Sequence, residues 1–397
     1  MKILLVHNYY GSSAPSGENK VFVAEKTMLE KHGHEVAVYT RHSDEIRCGN
    51  AIKRIWGKIK GALCTVGNPF AARAVAKKCR EFKPDVVHFH NTFPLISPLA
   101  VRAASKYAPV VITLHNYRMA CAAGVPTRNG KVCSLCLDKR SIWYGLKHRC
   151  YRGNLFATLP LAINIVLYRE KWSKWASRFI VFSMFQKDKL SDVGFSAKVI
   201  SIKPNCVEHV QSAKRGDASA RRDQIVYVGR LSDEKGVRTL IEAWRVFAMR
   251  DKFRLVFIGD GDKRSEYEKQ AQGLSVEFMG KQPNVVVRNL VAVSKAVVLP
   301  SECWEGMPIT ILESFAEGTP CIVSNLGALP EYIRNGALGE IFEAGNVKAC
   351  AMAIKRLLLR SDYSKMCAAA KHEAEIKYSE EANYKRLMEI YGEVVGE

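Results

Sequence analysis

The 397-residue chain has no long apolar run, and acidic residues are scarce in its first half. The longest apolar stretch, Leu155–Leu167, is interrupted by Pro160 and Asn164 and falls short of the roughly 20 residues that cross a bilayer. The opening Met1–Val6 meets His7 and Asn8 too soon to be a secretory leader and reads as a buried strand. A cytoplasmic protein is expected on these grounds. Low-complexity tracts are missing as well, and a hydrophobic share of 48% excludes a disordered chain.

The acid deficit is one-sided. Residues 1–200 carry 32 Lys and Arg against 12 Asp and Glu, a net of +20, whereas the remainder carries 28 against 27. Such asymmetry calls for an anionic partner of the first half. Over residues 51–63 the helical spacing sets Ile52, Ile55, Trp56, Ile59 and Leu63 on one face, with Lys53, Arg54, Lys58 and Lys60 around it. That pattern suits an anchor lying on an anionic membrane surface; its plain alternative is a surface helix packed on its own domain. No basic strand platform interleaved with aromatics is visible, so nucleic acid is not the expected partner.

Strand-like apolar runs alternate with helical patterns, which predicts α/β architecture with parallel sheets covered on both faces. Strands are expected at Lys2–Val6, Glu35–Tyr39, Val86–Phe89, Val110–Leu114 and Phe179–Phe182. In the second half they are expected at Ile225–Val228, Arg254–Ile258, Val276–Met279, Ala296–Leu299 and Cys321–Ser324. A helix is expected over Asn19–His32, ending at Gly33. Length suits two domains. The expected divisions are 1–202 with an insertion at 118–152, then 203–375, then a last helix, 376–397, packing back toward the first domain, with a polar basic stretch at Gln211–Asp223 near the join. Polar residues follow the strands, among them His7-Asn8, His88-Phe89-His90-Asn91, His115-Asn116, Gly229-Arg230 and Ser301-Glu302. Ligands of open parallel sheets bind beyond the carboxyl ends of the strands, so a cleft between two such edges is the expected active site.

Two carboxylates, Glu305 and Glu313, are separated by seven residues and flank Gly306, Met307 and Pro308. Pro in a first helical turn, and Gly where backbone N–H groups approach a ligand, fit a helix mouth with Glu305 before it and Glu313 inside it. Upstream, Gly229–Gly236 carries Arg230 and Lys235, cations suited to a diphosphate. The bland readings are helix-terminus carboxylates and a solvated surface cation pair.

In this order the segments resemble the retaining nucleotide-sugar glycosyltransferases of the GT-B fold, in the group with two glutamates seven residues apart, similar to glycosyltransferase family 4. The resemblance also takes in Pro15-Ser16-Gly17-Glu18, Gly33-His34-Glu35-Val36, Thr113-Leu114-His115-Asn116, Lys203-Pro204-Asn205, Ile258-Gly259-Asp260-Gly261 and the run to Glu331. It implies two Rossmann-like domains, a nucleotide-sugar donor and a glycan acceptor. By resemblance, Arg230 and Lys235 contact the diphosphate and Glu313 the ribose. Glu305 lies by the transferred sugar with Gly306, Met307 and Pro308, while His115 faces that sugar from the first domain. Gly17 belongs to a turn near the diphosphate, although Ser16 stands where many relatives have a second Gly. His88 and His90 are read as facing opposite sides of a strand, in support only. Retention implies front-face attack in which the leaving phosphate takes the acceptor proton, or else a covalent step at Glu305. Asp260-Gly261-Asp262 is read as a strand-end turn, and no catalytic metal is expected, because Arg230 and Lys235 supply the positive charge.

Of twelve cysteines, Cys121, Cys133, Cys136 and Cys150 share one basic segment. Their spacing is compatible with a structural zinc site, a redox pair or a reduced cluster. The segment starts six residues past His115 and is expected to overhang the acceptor side; similar Cys-bearing insertions occur in relatives that build bacterial surface polysaccharides. The resulting expectation is a transferase acting on a lipid-linked glycan at the inner face of a membrane. Three readings compete: a soluble transferase making a small glycoside or sugar phosphate, a zinc-containing nucleic-acid-binding protein, and a catalytically dead scaffold.

Overall fold

The computed structural model describes residues 1–11, 17–207 and 221–396, except the side chain of Asn335. Pro15, Ser16 and most of the basic stretch after Gln211 therefore lie outside the described residues. The strands are β1 (Lys2–Tyr9), β2 (Glu35–His42), β3 (Val86–Asn91), β4 (Val110–Thr113), β5 (Thr127–Arg128), β6 (Lys131–Val132), β7 (Arg178–Val181), β8 (Ile200–Ile202), β9 (Arg222–Val228), β10 (Arg254–Ile258), β11 (Val276–Phe278), β12 (Ser294–Leu299), β13 (Cys321–Ser324) and β14 (Gly339–Phe342). All ten expected strands form, with shifted ends. The short β8, β14 and the β5–β6 hairpin were not expected, since runs of two to four residues carry little periodic signal.

Two compact units result. The first comprises Met1–Pro126, Cys133–Pro204 and Tyr384–Glu397; the second comprises Thr127–Val132 and Asn205–Asn383. The first contains a parallel sheet in the order β2-β1-β3-β4-β7-β8, and the second one in the order β11-β10-β9-β12-β13-β14. Both are doubly wound α/β arrangements. Their strands read as continuous apolar runs because both faces are covered: Ile3–Val6 and Val110–Val111 are fully buried. In the first unit, Leu387, Ile390 and Tyr391 of the last helix, Glu380–Val395, join Ile3, Leu5, Val86 and Ile180 in one core. In the second, Trp244 and Phe257 centre the core.

The helix Ala51–Val66 is turned in an informative way. Its small residues Gly57, Gly61 and Thr65 face inward, and a Cβ on Gly57 would stand 2.2 Å from the Ile46 carbonyl oxygen. The opposite face, with Ile52, Ile55, Trp56 (66% exposed), Ile59 and Leu63, is open to solvent. The helix Leu155–Tyr168 lies beside it, its Asn164 Nδ2 donating to the Thr65 carbonyl at 2.6 Å. It leaves Phe156 (82% exposed), Leu159, Ile163 and Val166 exposed as well. Among the described residues no helix is long and apolar enough to cross a membrane.

In the second unit the Arg288 and Glu317 side chains, 6% and 5% exposed, form a pair at 2.5 Å. Removing Glu317 takes the carboxylate of this pair away from a buried guanidinium. Glu317→Ala is therefore expected to cost about 3–5 kcal/mol in denaturant unfolding, with an Arg288→Met/Glu317→Leu double variant recovering most of it. Equal midpoints for wild type and Glu317→Ala would contradict this.

Candidate active site

In the second sheet the chain order reverses at β9, which has β10 on one side and β12 on the other. The loops leaving β9 and β12 therefore start side by side at the carboxyl edge, where a doubly wound sheet binds its ligand. The first of these loops is Gly229–Gly236. Tyr227 Oη donates to the Arg230 carbonyl at 2.7 Å, and Arg230 Nη2 and Ser232 Oγ both donate to Glu234 Oε1, at 2.6 and 2.8 Å. The loop closes on Gly236, whose φ of 67° favours glycine and where a Cβ would lie 1.9 Å from the Pro300 carbonyl oxygen. That close approach brings the loop against the end of β12, and Glu302 N donates to the Glu234 carbonyl at 2.9 Å.

The second loop brings in Glu305. Its Oε1 accepts from Lys235 Nζ at 2.7 Å and from Ser301 Oγ at 2.6 Å. Burial alone would raise this carboxyl; the Lys235 charge and the hydrogen bonds from Lys235 and Ser301 together outweigh burial and leave it below its ordinary value. Burial alone would lower Lys235 in turn, and Glu305 raises it. Both groups are thus charged at neutral pH. Arg230, by contrast, is largely exposed. Past Glu305 comes the helix Ile309–Ala316, entered through Pro308 without a side-chain cap, so its first N–H groups are not satisfied by a capping side chain and its positive end lies open. Glu313, half-buried, is inside this helix, and the Gly306 carbonyl is fixed by Tyr332 Oη at 2.5 Å. The structure brings Lys235 and Glu305 together directly and keeps Arg230 in the same loop. Two cations, an open helix end and an ionised carboxylate can bind a diphosphate and accept hydrogen bonds from hydroxyls.

In the first unit His115 is half-buried just beyond β4. Its Nε2 is 3.3 Å from His90 Nδ1, and His90 Nε2 is 3.0 Å from Glu25 Oε1. The expectation that His88 and His90 face opposite sides of β3 is wrong. Residues two apart on a strand share a face; the two rings are 4.4 Å apart, and His88 Nδ1 also reaches Glu25 Oε1, at 2.9 Å. Lys203 Nζ lies 3.0 Å from Glu25 Oε2. Burial would raise the Glu25 carboxyl, but Lys203, His88 and His90 hold it well below its ordinary value. Burial pushes His88 down to about 4. Burial, aided by His90 and His7, likewise keeps His115 neutral. Sequence reasoning missed Glu25. The available signal was an acidic residue at the buried spacing of Phe22, Met28 and Leu29 in the helix Gly17–Lys31. Gly17 opens that helix and is exposed, and the next residue, Glu18, accepts from Asn116 Nδ2 at 2.8 Å.

The four clustered cysteines lie in the first unit. Burial pushes the Cys136 thiol up to about 12, with Cys121 and Cys150 adding to the rise. Burial also raises Cys121, against N–H groups of Ala123 and Gly124 aimed at its sulfur. Among the described residues, however, the one set of three His, Cys, Asp or Glu with ligand atoms within 4.8 Å of one another is Glu25, His88 and His90. The Lys203 ammonium neutralises the carboxylate of that set from its other oxygen.

Two family models match in tandem: glycosyltransferase family 4 over residues 16–211 and glycosyl transferases group 1 over 211–375. A Bacillus subtilis protein that carries the name teichuronic acid biosynthesis glycosyltransferase TuaC is 25% identical over 362 residues, covering 83% of this chain and 82% of its own. Among solved structures, a glycosyltransferase from Rickettsia africae ESF-5 superposes with a TM-score of 0.67 at 19% identity, over 99% of this chain and 98% of that one. Anabaena Alr3699/HepE in complex with UDP gives 0.63 at 17%, over 99% and 100%. With both halves matched in order and both sheets doubly wound, the chain belongs to the family 4-like glycosyltransferases of the GT-B fold.

Proposed function

We propose that this glycosyltransferase moves a sugar, with retention of anomeric configuration and without a catalytic metal, from a nucleotide sugar held by the second unit to a lipid-linked glycan received by the first. The observation that carries the donor side is the Lys235–Glu305 pair at the reversal point of the second sheet. An ammonium has three N–H bonds, so Lys235 keeps donors for a diphosphate while one holds Glu305. As the glycosidic bond breaks, charge grows on the leaving phosphate, and Arg230, Lys235 and the open helix end stabilise it more than they stabilise the bound donor. Glu313 accepts from the ribose, and Glu305, with Gly306, Met307 and Pro308, holds the sugar; Gly17 and His115 complete the set from the first unit. Glu305 already accepts from Lys235 and Ser301, which blunts it as a nucleophile and favours attack on the same face, with the leaving phosphate oxygen taking the acceptor proton. The UDP in the HepE complex supports a nucleotide-linked donor, and the name of the teichuronic acid relative supports a surface polysaccharide product.

The acceptor side rests on the bare apolar faces of Ala51–Val66 and Leu155–Tyr168 in a basic unit, which suit peripheral binding at the inner, anionic face of a membrane. A structural zinc ion on Cys121, Cys133, Cys136 and Cys150 belongs to the same reading, supported by their spacing in one basic segment; among the described residues no three of these sulfurs lie within 4.8 Å of one another.

Donor turnover, followed by mass spectrometry over a panel of nucleotide sugars with membrane extract, is expected to fall about 100-fold or more in Lys235→Ala, Arg230→Ala and Glu305→Ala. Turnover untouched by all three, or none in the wild type, counts against the proposal. Flotation with anionic vesicles should show binding that weakens in Trp56→Ala/Lys58→Glu and in Phe156→Ser, and with added salt; binding indifferent to all of these removes the membrane surface. Metal analysis should give about one zinc per chain, lost in Cys133→Ser/Cys136→Ser, and a metal-free, fully folded protein refutes the ion.

A further inference from the structure

The buried cluster behind His115 has no part in the reaction as described, yet it is an expensive thing to build. A carboxylate with 3% side-chain exposure, Glu25, stands among Lys203, His88 and His90, all inside one unit. We propose that Glu25 and His90 are positioning residues that lock His115 in a single neutral tautomer, with its proton on Nε2 and its Nδ1 left as a hydrogen-bond acceptor. The inference rests on the reading that His115 faces the donor sugar.

The argument runs outward from the charge. Glu25 is ionised, so it can only accept, and Lys203 Nζ at 3.0 Å satisfies one oxygen. Its other oxygen lies 3.0 Å from His90 Nε2, which must therefore carry a proton. In a neutral ring that leaves His90 Nδ1 with a lone pair. The atom 3.3 Å from that lone pair is His115 Nε2, which must donate in turn. Burial keeps His115 from taking a second proton, so its Nδ1 is an acceptor. On the other side of the carboxylate, His88 Nδ1 lies 2.9 Å from Glu25 Oε1, and its Nε2 is hydrogen-bonded to Thr113 Oγ1 at 2.8 Å. Tyr391 Oη stands 2.8 Å from His88 Nδ1. The other titrating or charged groups around the chain of rings are His7, Glu18 and Arg118. His90, His115, Asn116 and Arg118 line one cavity at this sheet edge, so the locked ring borders a space that a hydroxyl could enter. An acceptor nitrogen selects a donor hydroxyl, and a histidine free to exchange tautomers would satisfy it only part of the time.

Two details separate this from ordinary core packing. The Lys203 ammonium takes the second oxygen of Glu25 while the two histidines share the first, so the carboxylate already has its counter-charge and the rings are left to be ordered by proton positions. His90 is also the one ring that touches both the carboxylate and His115.

Histidine-selective nitrogen-15 NMR of the full chain tests the proposal, with the His115 signals assigned by loss in His115→Gln. The wild type should show His115 protonated on Nε2 across about pH 6 to 8. His90→Leu should give mixed tautomers at His115 and lower turnover about tenfold with little change in donor KM. His90→Gln, whose amide oxygen accepts and whose nitrogen donates, should restore both. Because Glu25→Gln strands Lys203 and risks misfolding, the His90 pair decides the outcome. A wild-type His115 protonated on Nδ1, or His115 signals unmoved in His90→Leu, overturns the lock. Addition of UDP-glucose, UDP-galactose, UDP-GlcNAc and GDP-mannose reads the donor-facing role separately: His115 signals that shift with one of them support it, and signals unmoved by all four refute that role whatever the tautomer data show.

Discussion

Among the described residues, a lysine ammonium neutralises a largely buried glutamate at the polar edge of each sheet, and the electrostatics of both edges depend on it. Lys203 holds Glu25 in the first unit and Lys235 holds Glu305 in the second. Burying a carboxylate costs several kcal/mol and would leave it protonated at neutral pH. The paired cation reverses that balance and keeps an acceptor in a place where water is scarce. In the second unit we propose that the acceptor meets the ligand directly. In the first it is hidden, and its effect travels through imidazole rings to the one histidine that is half open. The glycine at 236 is what permits the Lys235 arrangement, because any side chain there would collide with the carbonyl that ends the neighbouring strand.

Much of this was legible in the sequence. Parallel strands buried on both faces appear as unbroken apolar runs, so β1, β3, β10 and β13 could be found without a structure. The loops after β9 and β12 were legible for a different reason: Gly, Pro and charged residues crowd the few positions after a strand where a ligand can approach. Glu25 was hidden because its partners are 63, 65 and 178 residues away in the chain, as the pairs with His88, His90 and Lys203 show. No local pattern reports such a meeting. The alternation rule for β3 was legible and was misapplied: positions two apart share a face, and the shared carboxylate demonstrates it.

The helix Ala51–Val66 shows how a pattern can be seen correctly and still leave its direction open. Periodicity identifies an apolar face but cannot say whether the face is turned inward or outward. The glycines decide. With Gly57 and Gly61 against the body, the helix packs by backbone proximity, and the large side chains are left outside. The neighbouring helix Leu155–Tyr168, apolar nearly all round, extends the bare surface to a second element that no charge pattern had marked.

The last helix has a temporal meaning. Its Tyr391 sits within hydrogen-bonding distance of His88 on β3, and Leu387 and Ile390 fill the core of the unit that contains the first strand. During synthesis the ribosome makes the whole second unit before those residues emerge. The nascent N-terminal half must therefore wait with an open flank until Tyr384 and the residues after it have been made. The half that is born first closes its core with the helix that is born last, and it is the half that bears the two bare apolar helix faces.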